Sequence, residues 1–406
     1  MKIPRFLPPL AFLVTVAPPI ARSQPARAAL DRELSAAVEH HDVPGVVAMA
    51  IARNGVLYEG AFGAAEAGAG RAMKTDAIFR IASMTKPMTS VALMQLVEAG
   101  KVSLDDPAAK YLPALANPMV IESFDPVTGV YKVRPAKTII TVRHLATHTS
   151  GLGYAFTSAI VRDFKPRDGD KFTAGPLLFE PGTQWIYGTG VDMIGRLVES
   201  VSGQSLEALF QEKIFGPLGM NDTSYNVPEA KQGRLVNVFH RDASGALVED
   251  SRQPPRVVTH FGGGGGLYST VADYSRFMRM ILNGGELNGA RILSRDTVAL
   301  MEQNQIGAVG VRAVKTAQPE RSSDFTFVAD GRDKWGIGFM ITADSVPGKR
   351  AAGSLSWGGI DNTYFWIDPA RGVAGVIMMQ FLPFADAKAL GVYDTFERGV
   401  YRLTGP

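Results

Sequence analysis

Phe79-Arg80-Ile81-Ala82-Ser83-Met84-Thr85-Lys86 runs directly into an apolar helical face. Met88, Val91, Ala92, Met94, Leu96 and Val97 recur at helical spacing, with Gln95 among them, and Gly100 supplies a stop. The pattern predicts a helix over 83–100 with Ser83 at its start. Positions i and i+3 share a helix face, so Lys86 can reach the Ser83 oxygen. A serine hydroxyl needs such a base to act as a nucleophile at neutral pH. Free backbone N–H groups and the dipole at a helix start favour negative charge there. Ile81-Ala82 and Pro87-Met88 set the lysine against apolar surroundings, where desolvation favours an uncharged amine able to accept a proton. A tyrosine from another segment is a second route to activation. Taken alone, Ser-x-x-Lys is a weak signal and better fits an N-cap serine followed by a solvated lysine.

Working outward, residues 30–41 form a short helical pattern. Val46-Val47-Ala48-Met49-Ala50-Ile51-Ala52 then meets Asn54-Gly55 and leaves through Val56-Leu57-Tyr58, a strong hairpin signal. Residues 104–150 are mostly irregular. Segments 189–203 and Ser205–Phe215 read as helices, the first stopped by Gly203. Trp335–Ala343, Asn362–Asp368 and Val373–Phe381 read as three strands, and 384–402 as a closing amphipathic helix. Strands at both ends with helices between predict an α/β (α+β) fold: an antiparallel sheet flanked by helices, built from both termini. The expected division is a sheet domain of residues 29–85 and 190–406 with a mostly helical insertion at 86–189.

The chain has 406 residues, 46% hydrophobic and 20% charged, with a formal net charge of +3. That length supports a large core without staples. The weak charge and the lack of a basic cluster argue against a nucleic-acid partner. Cysteine is absent, which excludes disulfides, a thiolate nucleophile and thiolate-ligated zinc. Met1-Lys2-Ile3-Pro4-Arg5 is a basic head, 6–21 is apolar apart from one threonine, and Ala26-Arg27-Ala28 or Ala21-Arg22-Ser23 offers a cleavage site. This is the order of a secretory signal peptide over 1–28, implying a periplasmic or secreted protein. The stretch is shorter than a membrane span needs and is interrupted by prolines.

The residues around Ser83, with Leu104-Asp105-Asp106-Pro107 and Tyr111-Leu112-Pro113, resemble the serine β-lactamase/penicillin-binding-protein superfamily on its class C side. So do Thr141-Val142-Arg143-His144-Leu145-Ala146-Thr147-His148-Thr149-Ser150-Gly151-Leu152, Pro181-Gly182-Thr183-Gln184-Trp185-Ile186-Tyr187-Gly188 and Pro217-Leu218-Gly219-Met220. The set is completed by Gly263-Gly264-Gly265-Gly266-Leu267-Tyr268-Ser269-Thr270 and Trp357-Gly358-Gly359. The resemblance covers roughly residues 30–402. Its Ser-x-x-Lys motif is matched by Ser83 and Lys86. Its Tyr-x-Asn motif is matched only at Tyr187, because Thr189 replaces the asparagine. Its Lys-Thr-Gly motif aligns with Trp357-Gly358-Gly359, without the lysine that would pair with a substrate carboxylate. Trp357 offers an apolar face and one N–H donor, better suited to an uncharged ester. This variant is similar to the family VIII carboxylesterases.

The resemblance implies catalysis by Ser83, Lys86 and Tyr187, with an acyl-enzyme on Ser83 and an oxyanion hole from the backbone N–H groups of Ser83 and Ile360. Trp357, Gly358 and Gly359 would line the substrate site. The expected activity is hydrolysis of short-chain acyl esters, a small-molecule substrate, with slight turnover of β-lactams. The alternatives are a β-lactamase or D-alanyl-D-alanine peptidase, an acyltransferase, and a non-catalytic sensor on the same fold. No cofactor and no metal are expected. His144 and His148 stand at i and i+4, but Leu145 occupies the place of the glutamate in a zinc His-Glu-x-x-His pattern. They are expected to fix the loop at Thr149-Ser150-Gly151. The glycine run 262–266 lacks a following Lys-Ser/Thr, so it reads as backbone close to the active site and not a phosphate cradle. Asp105-Asp106 reads as a turn and cap pair. No serine lies in Gly-x-Ser-x-Gly, the α/β-hydrolase signature.

Overall fold

The computed structural model describes residues 19–405 except 171, 173, 174, 251–254, 256 and 327–330, and no side chain before Gln24. Most of the expected leader therefore lies outside the described residues. The helix expected over 30–41 begins earlier, as α1 (Pro19–Glu39). Both candidate cleavage sites fall inside it, and Arg27 of Ala26-Arg27-Ala28 donates to the Glu59 carbonyl at 3.0 Å and lies over the Tyr58 ring.

Strands β1 (Gly45–Ala52) and β2 (Gly55–Glu66) form the expected hairpin, continued by β3 (Arg71–Ala72). β4 (Phe79–Arg80) leads into a 3-10 turn at Ala82–Thr85 and then α2 (Lys86–Glu98). The predicted helix thus starts as a tighter turn, and Gly100 at φ +67° ends it. A hairpin of β5 (Met119–Phe124) and β6 (Tyr131–Pro135) lies in the irregular region. It is followed by α3 (Val142–Ala146) and α4 (Gly190–Ser202). β7 (Tyr268–Ser269) pairs with β4 and precedes α5 (Val271–Leu282), a helix the sequence reading passed over.

The C-terminal strands are β8 (Lys334–Trp335), β9 (Met340–Ile341), β10 (Leu355–Gly359), β11 (Thr363–Asp368) and β12 (Val373–Met378), closed by α6 (Ala387–Thr404). The single strand expected over Trp335–Ala343 is instead a turn between two short strands. Gly338 there, at φ +92°, passes so close to Ser90 that a Cβ would lie 2.8 Å from it. β10 was not among the three C-terminal strands read from the sequence, since two consecutive glycines weaken a strand pattern, although strand backbone was expected at Gly358 and Gly359.

The main sheet is antiparallel and eight-stranded, in the order β8-β9-β10-β11-β12-β1-β2-β3. Both ends of the chain build it. Along β11, Tyr364 and Trp366 meet Tyr393 and Phe396 of α6, whereas Phe365 meets Tyr274 of α5. Covered on both faces, the central strands read as unbroken apolar runs instead of alternating ones. α1 packs on α6, with Gly399 against Leu30.

Candidate active site

Ser83 is half-buried within the 3-10 turn between β4 and α2. Ala82 before it has φ +43°, a strained value for a residue with a side chain. Strand β10 runs against this turn. A Cβ on Gly359 would lie 2.4 Å from the Ile81 carbonyl oxygen and 2.3 Å from Thr363 Oγ1. Only glycine allows that approach, and Ile360 follows it at once.

Lys86 opens α2 and is buried. Its Nζ donates to Ser83 Oγ at 3.2 Å and to the Gly264 carbonyl at 2.7 Å. The same ammonium lies 4.7 Å from the Tyr187 ring centroid and 5.1 Å from that of Tyr154. Tyr187, also buried, donates its hydroxyl to Ser83 Oγ at 2.6 Å. The three residues singled out across 104 positions of sequence therefore converge on one oxygen.

Trp357 stands behind Tyr187. Its Nε1 donates to the Tyr187 hydroxyl at 3.4 Å, and the ring centroids are 4.9 Å apart. Only 3% of Trp357 is exposed, and Trp335 packs edge-on at 4.7 Å. Gly358 pairs with Tyr364 and Gly359 with Thr363 in the β10–β11 ladder.

His148 closes the aromatic box from below, its ring 4.9 Å from those of both Tyr187 and Trp335. Burial drives its basicity far down, and the Lys86 charge adds to this. Its Nδ1 accepts from the Gly188 backbone N–H at 3.4 Å, and its carbonyl accepts from Ile186 N–H. It thus holds the backbone on both sides of Tyr187. His144 accepts from the Thr141 N–H in a capping box at α3, and its carbonyl accepts from Thr149 N–H. Both histidines serve the loop, and no metal-holding cluster occurs among the described residues. Asp105 is paired with Arg143, while Asp106 caps Ser103 and binds Lys110 and Tyr111.

The glycine run does approach the site as backbone. Gly264 presents its carbonyl to Lys86 and its N–H to Asp192 Oδ1 at 3.0 Å. Asp192 Oδ2 accepts from the Tyr154 hydroxyl at 2.6 Å. Burial first, then Asp192 and Tyr187, push the Tyr154 phenol well above its ordinary range, so it remains a donor. Sequence reading missed Tyr154 and Asp192. Asp192 sits in the first turn of α4, where an acidic residue normally signals only dipole complementation.

Two hydrogen-bonding groups on a half-buried serine, beside closely approaching glycine backbone, can support acyl transfer through a serine ester. Residues 30–395 match the protein-family model described as Beta-lactamase. Monacolin J acid methylbutanoyltransferase of Aspergillus terreus is 31% identical over 389 residues, spanning 90% of this chain and 93% of that protein. Lovastatin esterase of Penicillium rubens is 29% identical over 396 residues, spanning 92% and 98%. Among solved structures, unliganded simvastatin synthase (LovD) from Aspergillus terreus superposes with a TM-score of 0.76 at 28% identity, covering 93% of this chain and 98% of that one.

Proposed function

The chain belongs to the Beta-lactamase family, and on that premise we propose that it is a serine esterase working through an acyl-Ser83 intermediate. Ser83 Oγ attacks the carbonyl carbon of an uncharged ester. The Tyr187–Lys86 pair takes the hydroxyl proton and returns it to the departing alcohol. The oxyanion is held by the backbone N–H groups of Ser83 and Ile360, each such donor being worth roughly 3 kcal/mol in the transition state. Water, deprotonated by the same pair, then attacks the acyl carbon; the bond to Ser83 Oγ breaks, the pair returns the proton to that oxygen, and the acid leaves. The observation that carries this reading is the convergence of Tyr187 and Lys86 on Ser83 Oγ at 2.6 and 3.2 Å. Trp357 in place of a cation on β10 favours a neutral ester over a β-lactam or a peptide carboxylate.

A second reading, transfer of the acyl group to an alcohol instead of water, is favoured by the acyltransferase relative. Supplying p-nitrophenyl butyrate with and without a small alcohol, and a chromogenic cephalosporin, separates the readings, with Ser83→Ala as control. Ester turnover that survives Ser83→Ala overturns the mechanism. Product ester formed in preference to free acid makes the chain a transferase. Fast cephalosporin turnover with negligible ester turnover makes it a β-lactamase. We also propose export through the N-terminal leader, so the mature protein would start near Gln24 or Ala29; a retained Met1 in the mass spectrum of the secreted chain contradicts this.

A further inference from the structure

The turn from β10 to β11 carries a carboxylate that ordinary packing does not explain. Asp361 is fully buried, and neither carboxylate oxygen has a hydrogen-bond partner among the described residues. Arg80 Nη2 pairs with its Oδ1 at 3.4 Å. A carboxylate buried so sparsely carries a desolvation cost that a neutral side chain would avoid.

The location of the pair is specific. Arg80 lies three residues before Ser83, at the end of β4, and Asp361 directly follows Ile360. Both are also tied to one further segment. The Arg80 backbone N–H donates to Gln380 Oε1 at 2.8 Å, and the Asp361 carbonyl accepts from Phe381 N–H at 3.1 Å. Asn362, at φ +58°, donates from its amide to the carbonyls of Phe381 and Pro383. The ion pair thus braces the strand that carries one oxyanion donor against the turn that carries the other, without using either donor's own N–H.

We propose that Asp361 and Arg80 are positioning residues that set the spacing between the Ser83 and Ile360 backbone N–H groups. This inference rests on the oxyanion hole assigned above. Such donors must lie about 2.7–3.1 Å from the developing oxyanion, and a misplacement of about 1 Å can cost roughly 10²-fold in rate. The charged and titratable groups around Asp361 are Arg80, Arg321, Asp250 and Tyr268. Burial pushes the Asp361 carboxyl up, against the charges of Arg80 and Arg321. Acid therefore releases the pair, so kcat gains an acid limb that a neutral residue at 361 would lack.

The test compares the wild type with Asp361→Asn, Arg80→Gln and the double variant on p-nitrophenyl butyrate. Active protein is counted by endpoint labelling of Ser83 with an organophosphonate, read by intact mass, and Ser83→Ala runs alongside. Each single variant is expected to lose about 10-fold in kcat per labelled site with KM nearly unchanged. The double variant should lose no more than the worse single one, because one brace is removed in each case. Asp361→Asn should also lose the acid limb, while its urea midpoint holds or rises. A kcat per labelled site within about twofold of wild type overturns the inference alone. So does a loss of kcat that merely follows a fall in the urea midpoint. Turnover surviving Ser83→Ala overturns the reading of Ser83 and this inference with it.

Discussion

Glu397 and Asp361 are both fully buried carboxylates facing an arginine, yet their surroundings differ in nearly every hydrogen bond. Glu397 accepts from Arg350 Nε at 2.7 Å and Nη2 at 2.9 Å, and from the Arg350 backbone N–H at 3.2 Å. Tyr393 accepts from the same guanidinium at 2.6 Å, and Lys349 adds a second cation at 3.2 Å. That pair clamps α6 to the loop before β10. Asp361 has a single oblique contact with Arg80, whose side chain is 46% exposed. The satisfied pair offsets its desolvation with directional bonds. The sparse pair does not, and it lies beside Ser83 and Ile360. Lys86 belongs with the second kind: its buried ammonium meets a carbonyl, a hydroxyl and two ring faces. Removing a charge from the first region should therefore cost stability, and removing one from the second should cost rate.

The largest expected effect is on rate. Lys86→Met should lower kcat by about 10³-fold or more, while its urea unfolding free energy changes little or rises. A loss of stability without loss of rate per folded molecule would break the distinction. In the other region, Glu397→Gln should lose about 3 kcal/mol of unfolding free energy, since Arg350 stays buried with a weakened partner. Its kcat per labelled Ser83 should stay at the wild-type value.

Stability against pH sharpens the contrast, because the two carboxyls shift in opposite directions. Burial tends to raise the Glu397 carboxyl, but the charges and hydrogen bonds of Arg350 and Lys349 prevail and lower it. Its stabilisation is present above the unfolded-state value and is lost as pH falls through the folded one. The Asp361 carboxyl is raised by burial. Its contribution is therefore full below the unfolded value and is lost as pH rises through the folded one. Urea midpoints measured across acid to neutral pH should show Glu397→Gln flattening the fall toward acid, and Asp361→Asn flattening the fall toward neutral pH. The smallest expected effect is that of Tyr154→Phe. It keeps the ring beside Lys86 but frees Asp192 and, through it, Gly264. A drop in kcat of about 5- to 10-fold is expected; no drop would remove Tyr154 from the support of Lys86.

Tyr187 was legible only through the ordered set of motifs that carries the family resemblance, whereas Ser83 and Lys86 were legible because their i, i+3 spacing has a physical meaning. The hairpin at Asn54-Gly55 and the helices stopped by Gly100 and Gly203 were legible for the same reason: turn and cap chemistry is local. The extent of β10 was not, because two glycines carry no apolar pattern, and what they are for shows only in the close approach of Gly359 to Ile81 and Thr363. The break of 335–343 into two strands and a turn depends on Gly338 fitting against Ser90, a contact across 248 positions. Trp357 was read as a group facing substrate, and its N–H is directed at the Tyr187 hydroxyl.

By itself the sequence determined the Ser83–Lys86 spacing, the expectation that Tyr187 joins them, the family resemblance, and a sheet made from both ends of the chain. Each of these is written in local spacing or in an ordered set of motifs. Only the tertiary structure decided what holds Lys86 in place, with Gly264, Asp192 and Tyr154 arriving from three separate segments. It alone also decided that Asp361 is buried with so few partners. The physical reason is that burial and hydrogen-bond satisfaction belong to the packed neighbourhood of a group, and residues distant in the chain supply that neighbourhood.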